Sequence, residues 1–150
     1  MIELRHVGIY VENMEQMVSF YEKTFDMKKI CYNQPDSNSL IDELMGVKGI
    51  EIIATKLITP RGQQCGTGDM VELIKIFNNK LGKNVTGPVY NIGIVHMSIG
   101  VDDIENICKK VICNGGKQFT KICKHENGNK FAFVNDPEGN WIELIQRKNN

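Results

Sequence analysis

Two histidines and two glutamates stand at matching places in the chain and are its best candidates for chemistry. His6 and His96 each stand in a run of alternating apolar residues, and Glu72 and Glu143 each begin a Glu-Leu-Ile triplet. Imidazole nitrogens and carboxylate oxygens bind divalent metals such as Zn²⁺, Ni²⁺, Co²⁺, Mn²⁺ or Fe²⁺. Two imidazoles and two carboxylates on one metal leave coordination positions open for water or substrate. Open positions are typical of a catalytic rather than a structural metal site.

The flanking residues bear on whether these side chains bind a metal. Side chains on a strand alternate between its two faces, so Glu72 lies on the face opposite to Val71 and Leu73. Burying a carboxylate in such surroundings is costly unless a cation accompanies it. A single such glutamate is usually solvated, and a single such histidine is usually a hydrogen-bonded structural residue. Because the same pair occurs in both halves of the chain, we expect the halves to bring all four side chains to one cation.

The four residues belong to an internal repeat that begins with an offset of 90 residues. Residues 6–15 match residues 96–105 in type, and residues 70–75 match residues 141–146. Each copy predicts a strand, a helix and three further strands, because short runs of β-branched and apolar residues favour extended structure. The predicted strands are 5–11, 29–34, 51–58 and 70–77 in the first copy and 92–101, 117–124, 130–135 and 140–147 in the second.

Each copy also carries one amphipathic helix, recognised by apolar residues at steps of three and four. Asn13 and either Asp102 or Asp103 are predicted N-caps, and the pair Gly115-Gly116 is predicted to end the second helix. The predicted apolar stripes are Met14, Met17, Val18, Tyr21 and Phe25 in the first helix and Ile104, Ile107, Cys108, Val111 and Ile112 in the second.

The segments between these elements differ in the two copies. Residues 78–88 predict a linker, and residues 136–140, Asp-Pro-Glu-Gly-Asn, predict a tight turn in which the polar side chains shape the turn rather than bind a metal. The first copy is longer. Residues 36–49 predict a short helix, and residues 60–68 predict a flexible glycine-rich loop; either segment is a candidate for closing over a ligand, or is a plain surface excursion.

Composition limits the classes of partner. The 150 residues are 41% hydrophobic, enough for one compact domain with its own core, and 18 basic side chains balance 18 acidic ones. Without a concentrated charge the chain is not expected to bind nucleic acid or a membrane surface, so a small-molecule partner is favoured. No apolar stretch is long enough for a membrane span, and Glu3 and Arg5 follow Met1 closely, so we expect a cytoplasmic protein.

The remaining candidates for chemistry are a histidine and the cysteines. His125 lies in a polar, hairpin-like turn, where a solvated side chain is favoured over a substrate contact. The five cysteines are odd in number and form no C-x-x-C pair, which argues against a disulfide framework or a zinc knuckle. Most are expected to be reduced and buried, acting as small apolar side chains rather than as catalytic thiols.

The repeat and its motifs together resemble one known superfamily. Residues 6–11, 95–99 and 133–143 are similar to the corresponding motifs of the vicinal oxygen chelate proteins, the glyoxalase/bleomycin resistance/dioxygenase superfamily, and the Asp-Pro-Glu-Gly-Asn turn is the most specific of them. The resemblance implies an α+β fold in which two tandem βαβββ modules form a cupped, barrel-like mixed sheet around a metal site. It implies one domain over residues 1–150, with module one at about 1–77 and module two at about 89–150.

Within that superfamily the ligand set is most similar to that of glyoxalase I. The resemblance implies that His6, Glu72, His96 and Glu143 bind one divalent metal, with Zn or Ni favoured. It implies that a hemithioacetal is isomerised to a thioester through a metal-bound enediolate, with Glu143 as the mobile base and Glu72 as its catalytic counterpart. A homodimer is expected.

Three alternatives stay open within the superfamily. Epimerases of the methylmalonyl-CoA type commonly carry Gln where this chain has Glu72. Extradiol dioxygenases bind iron through two His and one Glu. Drug- or toxin-binding resistance proteins act without turnover.

Overall fold

The computed structural model describes residues 4–37, 39–46, 48–77 and 93–148. The chain divides into two compact units, Met1–Lys83 and Asn84–Asn150. The predicted linker at 78–88 lies outside the described residues. Among the residues that are described, no helix is long and apolar enough to cross a membrane.

The first unit contains one four-stranded mixed sheet and three helices. Strand β1 pairs in parallel with β4, and β4, β3 and β2 then continue the sheet in antiparallel order. The elements in chain order are β1 (His6–Tyr10), α1 (Met14–Phe25), β2 (Lys28–Asp36), α2 (Ser39–Met45), β3 (Ile52–Ile58), α3 (Pro60–Cys65) and β4 (Met70–Ile76).

The second unit repeats the strand, helix and three strands of the first, except that the strand after its helix is divided into two short strands. Strand β5 pairs in parallel with β9, which pairs with β8, and β8 pairs with both β6 and β7. The elements are β5 (Met97–Gly100), α4 (Ile104–Cys113), β6 (Lys117–Gln118), β7 (Cys123–Lys124), β8 (Lys130–Asn135) and β9 (Trp141–Gln146). The α+β class and the β-α-β-β-β order are therefore confirmed, while the described strands form two open sheets rather than a closed barrel.

Helix α1 packs an aromatic cluster against the sheet of the first unit. All five residues of its predicted stripe are buried. Phe20 is buried as well, and its ring lies edge-on to Tyr21 and Phe25 at centroid distances of 5.3 and 5.9 Å. The predicted cap is confirmed, since Asn13 Oδ1 accepts a hydrogen bond from the Gln16 backbone N–H. This packing fixes the back of the sheet and leaves its other face for the candidate residues.

Helix α4 plays the same part in the second unit with smaller side chains. Ile104, Cys108 and Val111 are buried against the sheet. Asp103, rather than Asp102, is the N-cap and accepts from the Asn106 N–H. Ile112 was predicted in the apolar stripe but is 55% exposed, because the helix ends one residue later and this position has turned away from the sheet.

Three further predictions can be compared with the structure. Residues 36–49 do contain a short helix, α2. The glycine-rich segment 60–68 was predicted as a loop, which is wrong: it contains helix α3, capped by the Thr59 hydroxyl and ended by Gly66 in the left-handed conformation. The single strand predicted at 117–124 is also wrong, because the Phe119 and Thr120 N–H groups both donate to the Phe133 carbonyl and interrupt the ladder.

The cysteines are free, as predicted, but most of them are not buried. Only Cys108 is buried; Cys31 is half-buried and Cys65, Cys113 and Cys123 are exposed. Cys113 follows Ile112 at the end of α4 and shares its exposure. Burial raises the pKa of the Cys108 thiol, which disfavours the reactive thiolate and agrees with a packing role.

Candidate functional site

The first unit brings His6 and Glu72 together on the face of its sheet that α1 does not cover. In the parallel pair of β1 and β4, Glu72 is the register partner of Gly8, and His6 lies two residues before that glycine on the same face. The His6 Nε2 atom lies 3.1 Å from Glu72 Oε2. The side chains are 38% and 16% exposed, so the carboxylate is the more enclosed of the two.

A lysine completes the surroundings of Glu72. Lys56 on β3 is the antiparallel register partner of Glu72. Its Nζ atom lies 3.2 Å from Glu72 Oε1, the oxygen that does not face His6. Each carboxylate oxygen of Glu72 therefore has one nitrogen partner, an imidazole on one side and an ammonium on the other.

The second unit brings His96 and Glu143 together in the same manner. Glu143 on β9 is the register partner of Ser98 on β5, and His96 again lies two residues before that partner. The His96 Nε2 atom lies 3.4 Å from Glu143 Oε2, and the Ser98 hydroxyl donates to the same oxygen at 3.1 Å. Among the described residues, Glu143 Oε1 has no hydrogen-bond or ion-pair partner.

Aromatic side chains, rather than a lysine, border Glu143. Phe133 on β8 is its antiparallel register partner, in the place that Lys56 has in the first unit. The rings form an edge-to-face row that runs from His96 through Phe133 and Trp141 to Phe119, with successive centroid distances of 5.3, 5.9 and 4.5 Å. The wall beside the second pair is therefore apolar, and Phe119 at its outer end is 64% exposed.

The donor geometry of each pair fits a divalent metal. Metal–nitrogen and metal–oxygen bonds of about 2.1 Å place adjacent ligand atoms roughly 3 Å apart at a right angle and roughly 3.4 Å apart at a tetrahedral angle. The two imidazole-to-carboxylate distances, 3.1 and 3.4 Å, lie in this range. Within the described part of the chain, no group of three or more potential ligands forms, so each unit is described as presenting one imidazole and one carboxylate.

The other residues singled out from the sequence have structural roles. His125 is exposed in the turn between β7 and β8, where its Nδ1 accepts from the Asn127 N–H. Asp136 is 2% exposed, and its carboxylate accepts from the backbone N–H groups of Glu138 and Asn140 and from the Asn140 side-chain amide. The turn prediction is confirmed, and this turn sets the start of β9 and therefore the position of Glu143.

Sequence reasoning missed Lys56, Ser98 and Phe133, the residues that distinguish the two pairs. None of them is repeated between the two copies of the module, so the comparison that found the histidines and glutamates passed over them. One signal was available, because Lys56 is the only charged residue of strand β3, whose other residues are apolar apart from Thr55. A lysine within such a strand, one residue from the buried Leu57, indicates a cation directed at a particular partner.

Comparison with known proteins agrees with this architecture. A sequence model of the glyoxalase/bleomycin resistance protein/dioxygenase superfamily matches residues 3–144. The chain belongs to this superfamily. The chain is also 24% identical, over 148 residues, to a lactoylglutathione lyase from Haemophilus influenzae. This match covers 98% of this chain and 94% of the relative.

Solved structures with the superfamily fold are also similar to this chain. A glyoxalase family protein from Bacillus cereus has a TM-score of 0.88 at 18% identity, with 99% of this chain and 96% of that chain covered. A fosfomycin resistance protein from Listeria monocytogenes, in complex with Mn(II) and sulfate, has a TM-score of 0.60 at 11% identity, with 99% and 95% covered. At these identities the likeness shows the fold alone.

Proposed function

We propose that this superfamily member is a metal-dependent lyase of the glyoxalase I type. It isomerises the hemithioacetal of a 2-oxoaldehyde and a thiol to a 2-hydroxyacyl thioester. The observation that carries the proposal is the repeated pair of an imidazole and a carboxylate at matching register positions, at distances of 3.1 and 3.4 Å. Relatives named lactoylglutathione lyase support the choice of reaction.

The proposed site joins the two pairs around one divalent cation. His6, Glu72, His96 and Glu143 are its ligands, with Zn or Ni favoured. Such a cation supplies Lewis acidity toward the two neighbouring oxygens of the hemithioacetal. Two carboxylates balance its charge, and the two imidazoles bind in their neutral form.

The protein's own part in the reaction is a proton transfer by Glu143. Its carboxylate takes the proton from the carbon that bears sulfur and returns it to the neighbouring carbonyl carbon, while the hydroxyl proton moves between the two oxygens. The substrate is therefore isomerised without gain or loss of atoms or electrons. The choice of Glu143 over Glu72 is supported by its surroundings: among the described residues its Oε1 is without a partner, whereas Lys56 lies 3.2 Å from Oε1 of Glu72.

Metal stoichiometry tests the proposal most directly. We expect about one equivalent of Ni²⁺ or Zn²⁺ per chain, measured by elemental analysis after dialysis. His6→Ala and His96→Ala should each remove most of this metal, because a shared site loses a ligand in either case. His125→Ala, which changes an exposed turn histidine, is the matched control and should retain it. Two equivalents in the wild type, with one lost in each variant, would replace the shared site by two separate ones.

Activity then tests the reaction. Metal-loaded protein should convert methylglyoxal and a thiol to the thioester, followed by thioester absorbance with glutathione and with other small thiols. Metal binding without turnover on any of them would leave the metal site standing and would remove the lyase assignment.

A second candidate function is a binding protein that sequesters an aromatic ligand without turnover. The row of Phe119, Trp141 and Phe133 favours it, because edge-to-face rings offer stacking surface to a planar molecule. Tight binding of an aromatic compound by metal-free protein, seen as quenching of Trp141 fluorescence, would support this candidate over the lyase.

A further inference from the structure

Lys56 stands out in the first unit because it places a positive charge at the candidate metal site. It lies on β3 directly opposite Glu72, and side-chain alternation puts it on the same face as His6. Its Nζ lies 3.2 Å from Glu72 Oε1, and its side chain is 37% exposed. The ammonium group therefore lies beside the candidate ligands and is still open to a molecule that approaches them.

The Lys56 ammonium group has more hydrogen-bond donors than partners. Lysine carries three N–H donors and no acceptor. Among the described residues, Glu72 is the one hydrogen-bond or ion-pair partner of Nζ. Two donors are therefore available to a ligand bound at this face of the sheet.

The charge balance of the site shows what kind of ligand these donors suit. A divalent cation with two carboxylates and two neutral imidazoles is neutral overall, and Lys56 raises the site to a net charge of about +1. A cation so close to the ligands also opposes metal binding, and an anionic oxygen on the ligand would relieve that repulsion. Phe133, at the corresponding position in the second unit, adds no charge.

We propose that Lys56 is a specificity-determining residue that binds an anionic oxygen of the substrate, a carboxylate adjacent to the pair of metal-chelating oxygens. The inference rests on the proposed function, since it places the substrate at the shared metal. Within the proposed substrate class, it favours 2-oxoaldehydes that carry a carboxylate beside the vicinal oxygens over uncharged ones such as methylglyoxal. Charge-assisted hydrogen bonds from an ammonium to a carboxylate are among the stronger polar contacts, so the preference should be measurable.

Two matched chelators test the proposal by binding rather than by turnover. Acetohydroxamate and the monohydroxamate of oxalic acid both chelate a metal through two neighbouring oxygens, but the second has a carboxylate where the first has a methyl group. Each is titrated calorimetrically into Ni²⁺-loaded protein. We expect Lys56→Met to weaken binding of the carboxylated chelator by about tenfold and to change acetohydroxamate binding by less than about threefold. Lys56→Arg should retain the preference for the carboxylated chelator, because it keeps the charge.

The remaining outcomes are distinguishable. Unchanged binding of the carboxylated chelator in metal-loaded Lys56→Met would overturn the proposal, and so would equal weakening of both chelators, which would make Lys56 a positioning residue for Glu72. Metal content is measured first for every protein. Wild type that binds no metal would overturn the proposed function and this inference with it. Lys56→Gln provides a second uncharged variant should Lys56→Met fold poorly.

Discussion

The two units use the same backbone arrangement to build different surroundings for the same pair of side chains. In each unit a glutamate on an interior strand pairs in register with a residue of a parallel strand, and a histidine lies two residues before that residue. His6 is the first residue of β1, and His96 directly precedes β5. In the first unit the flanking residues are Gly8 and Lys56, and in the second they are Ser98 and Phe133. Glu72 thus has a nitrogen partner on each oxygen, an imidazole and an ammonium, whereas Glu143 has imidazole and hydroxyl contacts on one oxygen only.

This difference indicates how a duplicated module can give two copies of one residue different tasks. The register of the sheet places a His and a Glu in contact in either unit, so the repeated part of the sequence supplies the proposed metal ligands. The side chains on the neighbouring strands then decide whether a carboxylate stays fixed or is able to move. On this view Glu72 is the more static ligand and Glu143 the base.

Replacing each glutamate by glutamine tests whether Glu72 and Glu143 have different roles, and it should give the largest effect. Glu143→Gln should retain metal and lower kcat by about 10²- to 10⁴-fold, the usual contribution of a general base. Glu72→Gln should weaken metal binding more, with a loss of turnover per bound metal below about tenfold. Metal content and single-turnover rates at saturating metal measure both effects. Equal losses of turnover in the two variants would show that the different surroundings do not divide the roles.

The cores beneath the two sheets offer a comparison of stability. Phe20 in α1 is 1% exposed within an aromatic cluster, and Val111 in α4 is 0% exposed among smaller side chains. Phe20→Ala should lower the free energy of unfolding by about 3–5 kcal/mol, because it removes a large buried ring and leaves a cavity. Val111→Ala should lower it by about 1.5–2.5 kcal/mol. Urea denaturation followed by circular dichroism measures both, and a smaller loss for Phe20→Ala would contradict the stated difference in packing.

Sequence patterns predicted the repeated part of this structure better than the unrepeated part. Alternation and three-to-four spacing located the strands of His6 and Glu143 and the buried stripe of α1, because burial on one face imposes those periods on the sequence. The identity of Lys56 as the partner of Glu72 depends on strand register between residues 16 positions apart, which no local period encodes. Helix α3 was missed because Gly62 and Gly66 indicated a loop, whereas the Thr59 cap and Pro60 at its first turn favour a helix.

The segments before β4, which carries Glu72, and before β9, which carries Glu143, are held in place by different contacts. A glycine substitution before β4 tests this difference. In the second unit the Asp136 carboxylate ties the turn before β9. In the first unit Gly68 packs against backbone, since an added Cβ would lie 2.2 Å from the Leu4 carbonyl oxygen and 2.7 Å from Arg5 Cα. Gly68→Ala should therefore displace the chain just before His6, lowering the free energy of unfolding by about 1–3 kcal/mol and weakening metal binding.

A neighbouring glycine provides the control for that experiment. Gly66 has a φ of 64° and open space around its Cα, so Gly66→Ala should introduce only left-handed backbone strain, about 1 kcal/mol. Metal binding by Gly66→Ala should stay near the wild-type level in a calorimetric titration. Similar metal affinity in the Gly68→Ala and Gly66→Ala variants would contradict a role for close backbone packing in placing His6.

The smallest expected effect concerns the ion pairs that join each helix to its sheet. Lys130 on β8 lies 2.6 Å from Glu105 at the start of α4, and Lys29 on β2 lies 3.1 Å from Glu22 near the end of α1. The hydrogen bond from Lys130 lowers the pKa of Glu105. A carboxyl group with a lowered folded-state pKa stabilises the fold above its unfolded pKa, and that contribution is lost as the pH falls through the folded value.

Lys130→Met should therefore raise the pKa of Glu105 toward its ordinary range, as measured by NMR titration of the side-chain carboxyl carbon. Stability should change little, because Glu105 is exposed and solvent screens the pair. Lys29→Met, the matched change in the first unit, should leave the Glu105 titration as it is. If Glu105 titrates at the same pH with and without Lys130, the hydrogen bond does not persist in solution. The first turn of α4 is then held to its sheet by the buried Ile104 side chain and by the Gln146 side chain on β9, which accepts from the Ile104 backbone N–H.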